Sequence, residues 1–291
     1  MVAVDCVWPA RATLGEGPLW DVARQALWWV DIKGGRLHRF RPADGARASW
    51  TTGDAGLSCL ALDAAGGLVG TARRGWVRVG FQGDALVLAP LAAPGALPPR
   101  ARFNDGKVAP DGAMWAGTMD DDEAEAVGDW WRLDASGALR GLGGGFMVTN
   151  GPAFDAARGR TYLTDSAARV IYAGDGWDAA AVAGRRPWRA FEAAEGYPDG
   201  MTVDAEGRLW VAFWDGACVR ALDPEDGRVL RQVELPARRP TSVAFGGPDL
   251  DVLFVTSAAV GLESPGEADG GLFAVTGLGV RGLPPTAWGG R

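Results

Sequence analysis

Histidine occurs once in these 291 residues, as His38, and cysteine three times, as Cys6, Cys59 and Cys218. The first scarcity removes every constellation built on several imidazoles, so a multi-histidine zinc site or a His-Cys set is out of reach. A Ser-His-Asp triad would have to use His38, which lies in the second-strand run Arg36-Leu37-His38-Arg39-Phe40, away from the polar positions described below. His38 reads as a surface or packing residue. The cysteines are odd in number and far apart, which suits reduced thiols, each acting as a small buried hydrophobe. Runs of lysine or arginine are also missing. With a net charge of -7 and a pI near 4.9, the chain lacks the basic stripe of a nucleic-acid binder. Hydrophobic residues make up 47%, yet glycine and proline cut every apolar stretch short of the roughly 18 residues a spanning helix needs. No membrane partner is expected. Met1-Val2-Ala3-Val4-Asp5-Cys6 has neither the basic region nor the apolar core of a signal peptide, so the expected compartment is the cytoplasm.

What the chain does have is a recurring phrase. Gly15-Glu16-Gly17-Pro18, Asn104-Asp105-Gly106, Asn150-Gly151-Pro152 and Asp199-Gly200-Met201 each set an oxygen-bearing side chain before a glycine. A turn follows, and then an apolar run: Leu27-Trp28-Trp29-Val30, Met114-Trp115-Ala116, Tyr162-Leu163 and Leu209-Trp210-Val211. Ser58 and Ser242 extend the series, which then falls at positions 16, 58, 104, 150, 199 and 242. A period in the forties with turn signals about every ten residues and no sustained helical periodicity implies four short strands per unit. Six such units fit an all-β, six-bladed β-propeller with four-stranded antiparallel blades around a central channel. Val4-Asp5-Cys6-Val7-Trp8 is expected to complete the last blade beside the C-terminal strand, which removes two open edges. Residues 1–291 are therefore read as one domain, with a monomer the plain expectation.

The first strand of each propeller blade lies nearest the axis, so the six polar positions should ring one mouth of the channel. Two carboxylates and two amides converging without a basic residue in the ring form a hard-cation site. Calcium, magnesium and manganese suit it, and iron or zinc are accommodated when water completes the shell. A single Asp-Gly or Asn-Gly is ordinarily just a turn former; recurrence at matching repeat positions is what argues for more. Trp28, Trp115 and Trp210 occupy corresponding strand positions and read as core. Tyr197 and Trp214 fall near the expected mouth and are candidate ligand contacts. The run Asp120-Asp121-Asp122-Glu123-Ala124-Glu125 reads as a solvated loop, though it leaves an inner strand and one of its acids has the reach to the mouth. Gly277-Leu278-Gly279-Val280-Arg281-Gly282 matches GxGxxG by chance, with no helix to follow, and Gly143-Gly144-Gly145 reads as a turn.

Taken together, Gly15-Glu16-Gly17-Pro18, Arg102-Phe103-Asn104-Asp105-Gly106-Lys107, Ala116-Gly117-Thr118-Met119, Asn150-Gly151, Pro198-Asp199-Gly200-Met201 and Gly271-Leu272-Phe273 resemble the regucalcin (senescence marker protein 30), gluconolactonase and sugar-lactone lactonase family over nearly the whole chain. The resemblance implies one divalent ion held by Glu16, Asn150 and Asp199, with Arg102 and Asn104 contacting substrate hydroxyls. It aligns a family glutamate with Asp122, one methylene shorter, as a further substrate contact. The implied activity is metal-dependent hydrolysis of a sugar lactone, such as xylono-, arabino- or gluconolactone, to the aldonic acid, a hydrolase acting on a carboxylic ester bond. Asp199 is the implied general base; since a dication lowers a carboxylate's basicity, a water acidified by the ion with Asp199 only orienting it is equally compatible. A non-catalytic calcium-binding regulatory protein of the regucalcin type is the alternative.

Overall fold

Turn-forming residues divide the chain into 24 strands, one short helix and two single 3-10 turns, in a computed structural model that describes residues 1–290. After β1 (Ala3–Trp8), blade 1 holds β2 (Gly15–Asp21), β3 (Ala26–Asp31), β4 (Arg36–Arg41) and β5 (Ala46–Thr51). Blade 2 holds β6 (Cys59–Leu62), β7 (Leu68–Ala72), β8 (Gly75–Gln82) and β9 (Ala85–Ala92). Blade 3 holds β10 (Ala101–Val108), β11 (Met114–Asp120), β12 (Gly128–Leu133) and β13 (Leu139–Phe146). Blade 4 holds β14 (Thr149–Asp155), β15 (Arg160–Asp165), β16 (Val170–Asp175), the helix α1 (Ala179–Ala183) and β17 (Arg186–Ala190). Blade 5 holds β18 (Tyr197–Val203), β19 (Leu209–Trp214), β20 (Cys218–Leu222) and β21 (Val229–Glu234). Blade 6 holds β22 (Pro240–Gly246), β23 (Val252–Ser257) and β24 (Leu272–Thr276).

Each blade is a four-stranded antiparallel sheet, and the sixth has the order β1-β24-β23-β22. The N-terminal strand closes the ring by pairing Ala3 with Thr276 through to Trp8 with Leu272, as the edge argument expected. The first strands β2, β6, β10, β14, β18 and β22 contact one another in succession around the axis, so the architecture is a six-bladed β-propeller. Second strands are buried at nearly every position because both of their faces are covered by neighbouring blades. β3 and β11 are buried throughout, and Trp28, Trp115 and Trp210 are core. His38 is buried rather than exposed, its ring stacked 4.2 Å from that of Trp29.

Four inner strands break register at the recurring phrase, β2 between Glu16 and Leu19, β10 between Phe103 and Gly106, β14 between Asn150 and Ala153, and β18 between Pro198 and Met201, and β22 breaks just before Ser242, between Pro240 and Ser242. A bulge leaves residues unpaired and re-aims their side chains. Glycine follows for two reasons. Gly151 sits at φ 81, where a side chain is strained, and a Cβ on Gly200 would lie 2.2 Å from Ser242 Oγ.

Two minor expectations change. Gly143-Gly144-Gly145 lies inside the outermost strand β13, not in a turn, and Cys6 is exposed because β1 is itself an outermost strand. Cys59 and Cys218 are buried, and burial pushes their thiols up to about 12 and about 11. No helix is long and apolar enough to cross a membrane among the described residues.

Candidate functional site

The bulges deliver Glu16, Asn104, Asn150 and Asp199 to one cavity of about 660 Å³, which Arg102, Tyr197 and Trp214 also line. Ser58 and Ser242 do not join them. Ser58 stands ahead of β6, whose pairing has no register break, and its hydroxyl is 2.8 Å from Thr71 Oγ1. Ser242 stands at the far side of its break and lines a second cavity, of about 240 Å³. The expected ring of six is therefore a ring of four at this mouth.

A hydrogen-bond relay holds the mouth together. Arg102 donates through Nε to Asp121 Oδ1 (2.7 Å) and through Nη1 to Asn104 Oδ1 (2.6 Å). Asn104 Nδ2 donates to Thr149 O (2.8 Å) and to Asn150 Oδ1 (2.9 Å). Asn150 Nδ2 donates to Ser166 Oγ (2.9 Å), and Ser166 Oγ donates to Pro198 O (2.7 Å), one residue before Asp199. The relay fixes both amide orientations, since each nitrogen faces an acceptor. It leaves Asn150 Oδ1 a second lone pair.

The acids differ from this satisfied chain. Glu16 Oε2 accepts from Gly17 N at 3.0 Å. Asp199 Oδ1 is buried and has no hydrogen-bond partner. Burial, then the neighbouring Asp105 charge, pushes the Glu16 carboxyl well above its ordinary range. Burial, then Glu16, then Asp105 do the same to Asp199. Asp105 itself, raised by burial to about 6 with Lys107 opposing, accepts from Gly106 N (2.7 Å) and Gly151 N (3.1 Å). Desolvated acids repelling one another, with an orphaned oxygen among them, are a set that a cation would satisfy. Among the described residues no three His, Cys, Asp or Glu side chains form a metal-binding group by themselves; the donors at the mouth are two acids and the Asn150 amide. Hard oxygen donors of this mixture fit calcium, magnesium or manganese.

The expectation for Asp122 does not hold. Its side chain is 64% exposed and pairs with Arg100 at 3.1 Å, outside the cavity. The turn after β11 rotates the acid run so that Asp121 meets Arg102, while Glu123, at φ 54, lines the mouth. Burial alone would raise Asp121, but the Arg102 and Arg73 guanidiniums outweigh it and hold its carboxyl below the usual range. Ser166 was not anticipated, and nothing in its neighbourhood of the sequence marks it. Lys33 from the β3–β4 turn, Arg169 from the β15–β16 turn and Arg239 from the segment joining blades 5 and 6 also line the mouth. Arg169 lies 4.1 Å over the Tyr197 ring and Arg239 4.7 Å over that of Trp214, which fixes both aromatic walls.

Known proteins match this chain over nearly its whole length. A family model described as the SMP-30/gluconolactonase/LRE-like region covers residues 14–259. Regucalcin of Oryctolagus cuniculus is 35% identical over 302 residues, 99% of this chain and 99% of that protein. A pentonolactonase of Haloferax volcanii is 38% identical over 270 residues, 89% of each. Among solved structures, a calcium-binding protein, regucalcin, from Agrobacterium tumefaciens superposes with a TM-score of 0.89 at 26% identity, covering 98% of this chain and 97% of the other.

Proposed function

The chain belongs to the SMP-30/gluconolactonase/LRE-like family, and from that premise we propose that it hydrolyses a sugar lactone to the aldonic acid, using a divalent ion held by Glu16, Asn150 and Asp199. The observation that carries this reading is the buried, unpartnered Asp199 Oδ1 beside a second desolvated acid, in the same cavity as the Arg102–Asn104 pair. The pentonolactonase relative supports a pentonolactone such as xylono- or arabinolactone as substrate, and gluconolactone differs from these by one hydroxymethyl group. A cation bound at these oxygens supplies Lewis acidity toward the carbonyl and acidifies water.

The chain's own residues do the rest. Arg102 and Asn104, braced by Asp121 and by Asn150, offer donors and an acceptor to the sugar hydroxyls and so fix the carbonyl in attack geometry. Tyr197 and Trp214 wall the cavity and exclude water from the sugar face. Asp199 orients the attacking water and takes its proton. As water adds to the carbonyl carbon the ring C–O bond breaks, and the ring oxygen leaves as a hydroxyl carrying that proton. The acid product then ionises and releases one proton per turnover.

Acid release on xylono-, arabino- and gluconolactone, measured with and without chelator, tests the reading. Chelator-sensitive turnover on at least one of them is expected. In Asp199→Ala, calorimetric ion binding is expected to vanish together with turnover, the latter falling by about 10²- to 10⁴-fold. Full activity in that variant would remove the site assignment. A second reading, calcium binding without turnover, is favoured by the full-length likeness to regucalcins; acid release from none of the lactones would select it.

A further inference from the structure

β10 serves two cavities at once. Arg102 and Asn104 line the mouth, whereas Asp105, Gly106 and Lys107 line the smaller cavity at the other end of the channel. The inner strands and the C-terminal stretch Leu283-Pro284-Pro285-Thr286 line that second end. Lys107 does not spend its ammonium on a neighbour in its own blade. It reaches across the axis, past blade 4, and Nζ donates to Met201 O of blade 5 at 2.7 Å, two residues beyond Asp199. No carboxylate among the described residues lies within ion-pair distance of Nζ: its charge acts through the channel, on Asp105 first, and Asp105 in turn acts on Glu16 and Asp199. The mouth acids thus have no salt-bridge partner of their own among the described residues: Arg102 offsets Glu16 from the mouth side, and Lys107, an ammonium that burial disfavours and Asp105 supports, offsets Asp105 from the other end of the channel.

We propose that Lys107 is the built-in countercharge of the channel: strung from blade 3 to blade 5, its ammonium offsets the Glu16–Asp105–Asp199 trio when no ion is bound, opposes a bound dication, and so sets the affinity of the site. The proposal rests on the cation reading of the mouth. Like charges sharing a low-dielectric site repel, and an opposite charge relieves them. An ammonium and a dication facing the same acids therefore compete electrostatically without touching the same atoms. Affinity is kept below what three acids alone would give, and the ion-free fold is spared their repulsion.

The test uses the full chain titrated with CaCl₂ and MnCl₂ by calorimetry, with thermal melts in EDTA and at saturating calcium. Lys107→Met is expected to bind calcium about tenfold tighter or more, to melt below wild type in EDTA, and to close that gap with calcium. Lys107→Arg should keep wild-type affinity. Asp105→Asn should bind about tenfold more weakly, and Asp105→Asn/Lys107→Met should return toward wild type. If Lys107→Met does not fold in EDTA, the comparison of Asp105→Asn with the double variant carries the same information. Unchanged affinity with an equal loss of melting temperature in EDTA and in calcium would overturn the proposal and reduce Lys107 to a hydrogen bond on Met201. Absence of calcium and manganese binding by the wild type would overturn the cation reading instead, and the countercharge with it.

Discussion

Ser166 has one hydroxyl and uses it twice, accepting from Asn150 Nδ2 and donating to Pro198 O. It thereby ties two proposed ligand-bearing strands together and keeps Asn150 Oδ1 turned toward the mouth. Ser166→Ala is expected to weaken calcium binding by about 10- to 100-fold in a calorimetric titration, with a melting temperature in EDTA near that of wild type. His38 gives a prediction about acid. Burial lowers its imidazole from 6.5 to about 4, with Asp31 opposing and Arg36 adding to the shift, while Trp29 and Trp8 enclose the ring and Ser49 Oγ sits 2.7 Å from Nδ1. A folded-state value below the unfolded one means the unfolded chain binds the proton more readily. The contribution is therefore present above 6.5 and is lost as pH falls through about 4, roughly 3 kcal/mol in all. Chemical denaturation between those limits should show a shallower pH dependence in His38→Phe than in wild type. The mouth acids, raised by burial, act with the opposite sign in the same window, so the difference between the two proteins isolates the histidine.

At the scale of the element, the bulge decides which residues reach the mouth. Glu16, Asn104, Asn150 and Asp199 were legible because a polar residue before glycine at a fixed repeat position is the imprint of a bulged inner strand. Ser58 and Ser242 share the period without the glycine, and their hydroxyls turn elsewhere. The acid run after β11 shows the limit from the other side. The run contains several carboxylates at a strand end and in the turn after it, and the left-handed residue Glu123 is the one that lines the mouth. Sequence spacing cannot resolve a rotation of one residue in a turn, so it points to Asp122, whereas Asp121 holds Arg102 and Glu123 lines the mouth. Lys107 stands in the quoted phrase yet gave no sign of its role, because its partner lies 94 positions away on another blade.

At the scale of the whole molecule, closure comes from both ends of the described chain. β1 pairs with β24, and the segment after β24 crosses the end of the channel opposite the mouth. Ala205 N donates to Arg281 O, Gly282 N to Leu250 O, and Trp288 N to Leu62 O at 2.7 Å. Trp288 is buried, donates Nε1 to Leu133 O at 3.2 Å, and packs in the core between blades 2 and 3. Removing it leaves a cavity where two blades and the crossing segment meet. Trp288→Ala should lower stability by about 3–5 kcal/mol in urea unfolding, and calcium affinity per folded molecule should stay at the wild-type value because the proposed ligands lie at the opposite end.

Taken by itself, the chain's order of residues determined the repeat, hence the blade count, the apolar runs of the second strands, the closing strand and the four oxygen donors. Each of these is a local pattern copied along the chain, and local patterns survive in one dimension. Tertiary structure alone decided that Ser166 braces Asn150, that Asp121 rather than Asp122 holds Arg102, and that Lys107 spans the axis to Met201. Those contacts join residues on different strands or different blades. Their geometry depends on where the ring closes and how each turn is rotated, and neither quantity is written in the spacing of residues along the chain.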